Sequence, residues 1–140
     1  MEIQVKKLSL KATLPTKANS SDAGWDLYAS ADVMIDPMKT ALVSTDIAMA
    51  IPTEYMGAIW DRSSMAIKRD LHRFAGVIDS GYRGEIKVCL WNSGDKYCLL
   101  KQGERIAQII FHHIPPFTLK EVVSLNETER GEGGFGSSGL

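Results

Sequence analysis

The sequence predicts an all-β domain, on three observations. Short runs rich in β-branched and aliphatic residues recur along the chain. Turn signals separate them: Asp36-Pro37, Ile51-Pro52, Ser93-Gly94-Asp95, Gln102-Gly103 and Pro115-Pro116. One short stretch, residues 63–70, is the helix candidate of note, with Ser63 or Ser64 as its N-cap. Several short strands at regular spacing with almost no helix point to an antiparallel sandwich or barrel.

The strand runs, in order, are residues 3–10, 41–50, 56–60, 85–92, 96–100, 105–110 and 118–123. The first alternates imperfectly. Asn92-Ser-Gly-Asp lies between two apolar runs and reads as a hairpin turn. Residues 76–84, Gly-Val-Ile-Asp-Ser-Gly-Tyr-Arg-Gly, read as a second hairpin whose tip backbone approaches another group closely. No internal repeat and no linker precede Asn126. From there the composition turns polar and glycine-rich, so residues 1–125 form one β-barrel domain and residues 126–140 an arm. A barrel of this size has little room for a deep internal pocket, which puts a ligand at an edge or between subunits.

The chain has 140 residues, 44% of them hydrophobic, enough for one domain with a real core. A formal net charge of −1 gives no global field for a nucleic-acid backbone, though a nucleotide needs only local charge. Cys89 and Cys98 lack metal-type spacing and read as core thiols of a reducing compartment. The N-terminus is charged rather than signal-like, and no apolar run is long enough for a membrane helix, so a cytoplasmic protein is expected.

Five segments hold chemistry-bearing residues. In Asp22-Ala-Gly-Trp-Asp26-Leu, Asp26 sits between apolar neighbours and needs partners if buried; an Asx turn at a strand start is the plainer reading. In Asp61-Arg62-Ser63-Ser64, an arginine and two hydroxyls meet a helix start, which suits phosphate, or else simply caps a helix. In residues 76–84, Asp79 is either a general base or a turn aspartate, and Tyr82 is placed to pack on a sugar. Gln108 interrupts an apolar strand and must be satisfied, by backbone or by a ligand. The closing Arg130-Gly-Glu-Gly-Gly-Phe135-Gly-Ser-Ser-Gly carries a cation, a ring and hydroxyls on a glycine-rich strip, suiting a planar anionic ligand or a linker. P-loop, zinc-deaminase and Gly-x-Ser-x-Gly patterns are absent. His112 and His113 are adjacent on a strand, so they face opposite ways and make poor joint metal ligands.

Together and in this order, the five segments resemble the motifs of the trimeric dUTPase family. The resemblance covers nearly the whole chain. It implies a jelly-roll-like β-barrel, a homotrimer with active sites at subunit interfaces, and hydrolysis of dUTP to dUMP and pyrophosphate with magnesium (Mg2+) on the triphosphate and no direct protein ligand to the metal. Asp79 would deprotonate the water that attacks the α-phosphorus. Tyr82 would pack under the deoxyribose. The stretch holding Arg73, Phe74, Gly76, Val77 and Ile78 would read uracil by its backbone, leaving no space for a 5-methyl, and Phe135 would stack on the base. Arg62, Ser63, Ser64 and Gln108 would hold phosphate oxygens or the water, and Asp26 would act through metal-bound waters. Arg130, Gly136 and Ser137 would clasp the outer phosphates. The chain departs from the usual pattern at Asp61, Arg73 and Gly81.

Two rival readings stand beside this one. A dCTP deaminase shares the barrel, but its catalytic glutamate would fall at Cys89, where neither Val88 nor Leu90 supplies a carboxylate. A non-catalytic nucleotide-binding regulator is the other; against it, every proposed catalytic position is filled.

Overall fold

In the computed structural model of the chain, residues 1–134 are described. They form eleven strands and one helix, as the strand-rich, helix-poor sequence predicts. The strands pair as four antiparallel sheets with no closed barrel among the described residues. The largest has the order β2-β11-β6-β8, with β2 Trp25–Tyr28, β11 Arg105–His113, β6 Tyr55–Trp60 and β8 Val77–Ile78. A second has the order β4-β9-β7, with β4 Thr40–Ser44, β9 Lys87–Asn92 and β7 Leu71–Phe74. Two-stranded ladders join β1 Gln4–Lys7 to β5 Ile47–Ala50, and β10 Cys98–Leu100 to β3 Val33–Ile35.

One core unites the sheets. Leu27, Ile59, Ala107 and Ile109 come from the inner face of the four-stranded sheet, and Val43, Leu71, Val88 and Leu90 from the three-stranded one. Ile35, Leu100 and Cys98 come from the β3–β10 ladder. The period of two holds along β9, where Val88, Leu90 and Asn92 are buried and Lys87 is exposed. Asn92 is the polar member of that row. Its amide donates to the carbonyls of Ile35 at 3.0 Å and Lys96 at 2.7 Å, and its oxygen accepts from the Gly94 N–H at 3.0 Å. Both polar atoms of the side chain are satisfied, by three hydrogen bonds, so burial costs little.

Several local expectations are corrected by the pairing. The run 41–50 is two strands in different sheets, broken at Asp46, whose φ of 53° turns the chain. The turn after Asn92 does not close a hairpin: β9 pairs with β4 and β7, while β10 pairs with β3. Asn92's own side chain stabilises that turn instead. Residues 76–84 are likewise no hairpin. β7 pairs with β9 and β8 with β6, so the Ala75-Gly76 turn carries the chain from one sheet to the other. Positive φ at Ala75 (58°) and Gly76 (120°) allows that switch. The helix α1 spans Ser63–Arg69, but its N-cap is Arg62, with no side-chain capping bond from either serine. Residues 118–123 form no strand, and Phe117, Leu119, Val123 and Leu125 stand exposed.

Candidate active site

A single cross-strand row organises the polar site. Gln108 of β11 lies opposite Asp26 of β2 on one side and Trp60 of β6 on the other. Residues directly opposite share a face, so these three project outward while Leu27, Ile59, Ala107 and Ile109 fill the core. A register shift in β11 between Arg105 and Ala107 adds Arg105 to that face. Strict alternation would place Arg105 on the same side as Ala107; the bulge lets Ile106 and Ala107 both turn inward and both Arg105 and Gln108 outward.

The row opens into a cleft of about 360 Å³ lined by Asp22, Gly24, Asp26, Arg62, Ser63, Arg105 and Gln108, with Ala18 and Ala23 at its rim. Asp26 is its electrostatic centre. One carboxylate oxygen accepts from Arg62 Nε at 2.8 Å, the other from Arg105 Nη1 at 3.4 Å. Arg62 Nη1 also donates to Ser64 Oγ at 3.3 Å and reaches the Arg105 carbonyl at 3.5 Å. The guanidinium plane of Arg62 is therefore fixed. Two arginines flank this one carboxylate, which leaves guanidinium donors over for an anionic ligand. Gln108 Nε2 donates to the Asp61 carbonyl at 2.9 Å, so its Oε1 is the end turned toward the loop. That loop runs over Gln108 at Gly24, where any Cβ would strike the Gln108 amide. Asp22 accepts from the Asn19 N–H at 2.8 Å and shapes the loop rather than pairing with a base.

A second cleft of about 500 Å³ shares Arg62 and Arg105 and adds Ser64, Lys68, Arg69 and Glu104. Burial is the largest single influence on Arg69 and opposes its charge, but the Glu104 hydrogen bond at 2.9 Å, the Glu104 charge and Cys98 together outweigh it and hold the guanidinium above its ordinary value. A further cavity, about 680 Å³, is an apolar groove beside β1 lined by Ile3, Val5, Leu14, Trp25, Met49 and Phe111; it holds none of the polar site.

Of the expected base-reading residues, Val77 and Ile78 lie at the far edge of the same sheet, Arg73 and Phe74 lie on β7 of the three-stranded sheet, and Gly76 is in the turn between them. Arg73 stacks on Trp60, its Cζ 4.8 Å from the ring centroid, and donates to the Ala75 carbonyl at 2.7 Å. Gly76 accepts from the Ile59 N–H at 2.8 Å, and a Cβ there would crowd Ile59. Val77 and Ile78 pair with Ala58 and Gly57. Phe74 is turned away from this turn and stacks on Trp91, centroids 5.6 Å apart. Asp79 is exposed, and its carbonyl accepts from the Tyr82 N–H at 3.0 Å. The Tyr82 hydroxyl donates to the Glu85 carbonyl at 2.9 Å, and the ring lies against Gly84 with no room for a Cβ between them. Arg130 donates to the Gly133 carbonyl at 2.9 Å. Phe135, Gly136 and Ser137 lie outside the described residues.

Within one chain, Asp79 and Gln108 are far apart. Continuing the β6–β8 register puts Asp79 level with Met56, four residues along β6 from Trp60, the partner of Gln108. Four residues at ~3.3 Å and two strand spacings at ~4.8 Å give roughly 16 Å between their Cα atoms. No single water bridges that gap.

Two residues of the site escape a reading of motifs alone. Arg105 carries a signal, as the cation that opens an apolar strand after Gly103-Glu104. Asp61 accepts from the Arg73 N–H at 2.7 Å and meets His72 Nδ1 at 3.3 Å, a contact no local pattern announces. Its carboxylate points to β7, away from the polar cleft. Among the described residues, no group of three or more His, Cys, Asp or Glu is arranged to hold a metal ion. No described helix is long and apolar enough to cross a membrane.

The fold and cleft define an antiparallel β-sheet protein with a polar, arginine-bearing surface cleft. The sequence model of the dUTPase family matches residues 10–139. The deoxyuridine 5'-triphosphate nucleotidohydrolase of Clostridium kluyveri is 44% identical over 99% of both chains. A probable enzyme of that name from Schizosaccharomyces pombe is 45% identical over the full length of both. Among solved structures, a Staphylococcus bacteriophage 80alpha dUTPase with dUpNHpp superposes with a TM-score of 0.94 at 32% identity, covering 99% of each chain. The dUTPase of phage phi11 from S. aureus, in a structure showing a structural Mg(II) ion, superposes at 0.83 with 25% identity over 89% of this chain and 98% of that one. The chain belongs to the dUTPase family.

Proposed function

We propose that this chain hydrolyses dUTP to dUMP and pyrophosphate, which limits uracil incorporation into DNA and supplies dUMP for dTMP synthesis. The observation that carries the reading is the row Asp26–Gln108–Trp60, with Arg62, Arg105 and Ser63 around one polar cleft. Phosphate oxygens meet donors from Arg62, Ser63, Ser64 and the closing motif's Arg130, Gly136 and Ser137. Arg62 commits Nε and Nη1 to the protein, which orients the rest of its donor fork. Gln108, held through Nε2, presents Oε1 to the attacking water. Asp79 takes the water's proton as it attacks the α-phosphorus, a role typically worth about 10²–10⁴-fold.

Magnesium fits this site as a substrate-borne ion. The two arginines on Asp26 leave no open carboxylate cage, and magnesium prefers phosphate oxygens and its own waters. Asp26 would accept hydrogen bonds from those waters. When bound, the ion withdraws charge from the triphosphate.

The gap of roughly 16 Å supports an arrangement in which the Asp79 of one copy serves the cleft of another, and a homotrimer is the assembly we propose. The exposed apolar run from Phe117 to Leu125, unpaired within one chain, supports an arm that packs on a neighbour. Phe135 then stacks on uracil, a contact worth roughly 1–3 kcal/mol, while Tyr82 excludes a 2′-hydroxyl. A pyrophosphate assay with magnesium across dUTP, dTTP, dCTP and UTP tests the reading. Turnover confined to dUTP is expected; ammonia from dCTP would replace it with the deaminase.

A further inference from the structure

The chain's two contributions to the proposed nucleotide sites, the Gln108 cleft and the base-reading turn, meet at one residue, Asp61. It follows β6 and belongs to no strand. β7, the edge strand of its sheet, pairs with β9 and not with β6. Its neighbour across the gap between the sheets is therefore held by side chains rather than by a ladder. Asp61 takes the Arg73 N–H at 2.7 Å through Oδ1 and meets His72 Nδ1 at 3.3 Å through Oδ2. Its main-chain carbonyl takes Gln108 Nε2 at 2.9 Å. One residue thus anchors the base-reading backbone with its carboxylate and the water-holding amide with its carbonyl.

The rest of the junction shows why this anchor decides geometry. Arg73 is the residue whose side chain covers Trp60 and ties back to the Ala75 carbonyl. Ala75 and Gly76 both have positive φ, a turn that its neighbours must hold in place. Behind it, Ile59 donates to the Gly76 carbonyl at 2.8 Å. Removing the Asp61 carboxylate leaves the Arg73 N–H without that acceptor and frees the strand end that leads into the turn.

We infer that Asp61 is a positioning residue for base selection: it sets the width of the base-reading turn and so the exclusion of a 5-methyl group. This rests on the dUTPase reading above. Rejecting one methyl group by fit is worth roughly 10–200-fold, and it depends on a backbone that does not yield.

The test measures kcat/KM for dUTP and for dTTP in the full-length protein, its Asp61→Ala variant and its Asp61→Glu variant. The ratio of the two constants is independent of the fraction of active protein, so general destabilisation does not move it. In Asp61→Ala the ratio should fall about tenfold, because the turn yields to the methyl group. Asp61→Glu keeps the charge but carries the acceptor one methylene further, so its ratio should fall too; it decides the matter if Asp61→Ala does not fold. An unchanged ratio in a folded variant overturns the inference and leaves the dUTPase reading intact. Failure of the unsubstituted protein to hydrolyse dUTP overturns both.

Discussion

Asp26 and Asp79 are both carboxylates, yet the fold treats them in opposite ways. Asp26 is largely enclosed and held by two arginines, whereas Asp79 is exposed at the end of an edge strand. The first suits a fixed structural charge and the second a base completed only when substrate and a second copy arrive. Asp79→Asn should keep binding of dUpNHpp, measured by calorimetry, and lose about 10²–10⁴-fold in pyrophosphate release. Unchanged turnover would remove Asp79 from the mechanism. Gly24→Ala should fold, because the loop is at the surface, but should push Gln108 aside and depress kcat more than KM. Asp46 sits outside the site and governs acid stability. Its Ser9 hydrogen bond, with further help from Ser30, lowers its pKa below the ordinary 3.8. The stabilisation is therefore present above about pH 4 and lost as pH falls through the folded value. Asp46→Asn should lower the Tm at pH 7, and the difference should close as the midpoint is followed to about pH 3; a gap constant with pH would contradict the assignment.

At the scale of elements, the structure rewards patterns that are satisfied locally and hides those that are not. β11 and β9 are legible because their apolar residues form nearly continuous runs, as suits strands paired on both sides. β2, β7 and β8 have two to four residues each and draw their order from their partners' ladders, so no window of sequence betrays them. The run 118–123 shows the converse: it has strand composition, yet one chain offers it no ladder. Asp26, Arg62, Ser63 and Gln108 were recognisable as residue types in a motif order, and the fold brings all four to one cleft. Arg105 was concealed because its outward direction depends on a bulge, and Asp61 because its contacts depend on how two sheets meet. The arm is the element whose removal is most informative. Deleting residues 130–140 should leave the oligomer and its far-ultraviolet spectrum unchanged while abolishing most activity. Loss of assembly on sizing chromatography would make the arm a structural element instead.

For the whole molecule, the proposed division of Asp79 and Gln108 between copies would make activity a property of the assembly. Asp79→Asn and Gln108→Ala should each be inactive alone. Unfolded together and refolded, they should regain activity, since about a quarter of sites in a random mixture draw both intact residues from different chains. No recovery on mixing would place both residues in one chain's site and refute the shared arrangement. The exposed stretch from Phe117 to Leu125 carries a further consequence, for the history of each molecule. A newly made chain presents apolar, strand-forming sequence until it meets its own kind, and such sequence also pairs with strangers. Productive encounter and misassociation both accelerate with concentration. The yield of refolding should therefore pass through an optimum, with lone chains accumulating when dilute and aggregates when crowded.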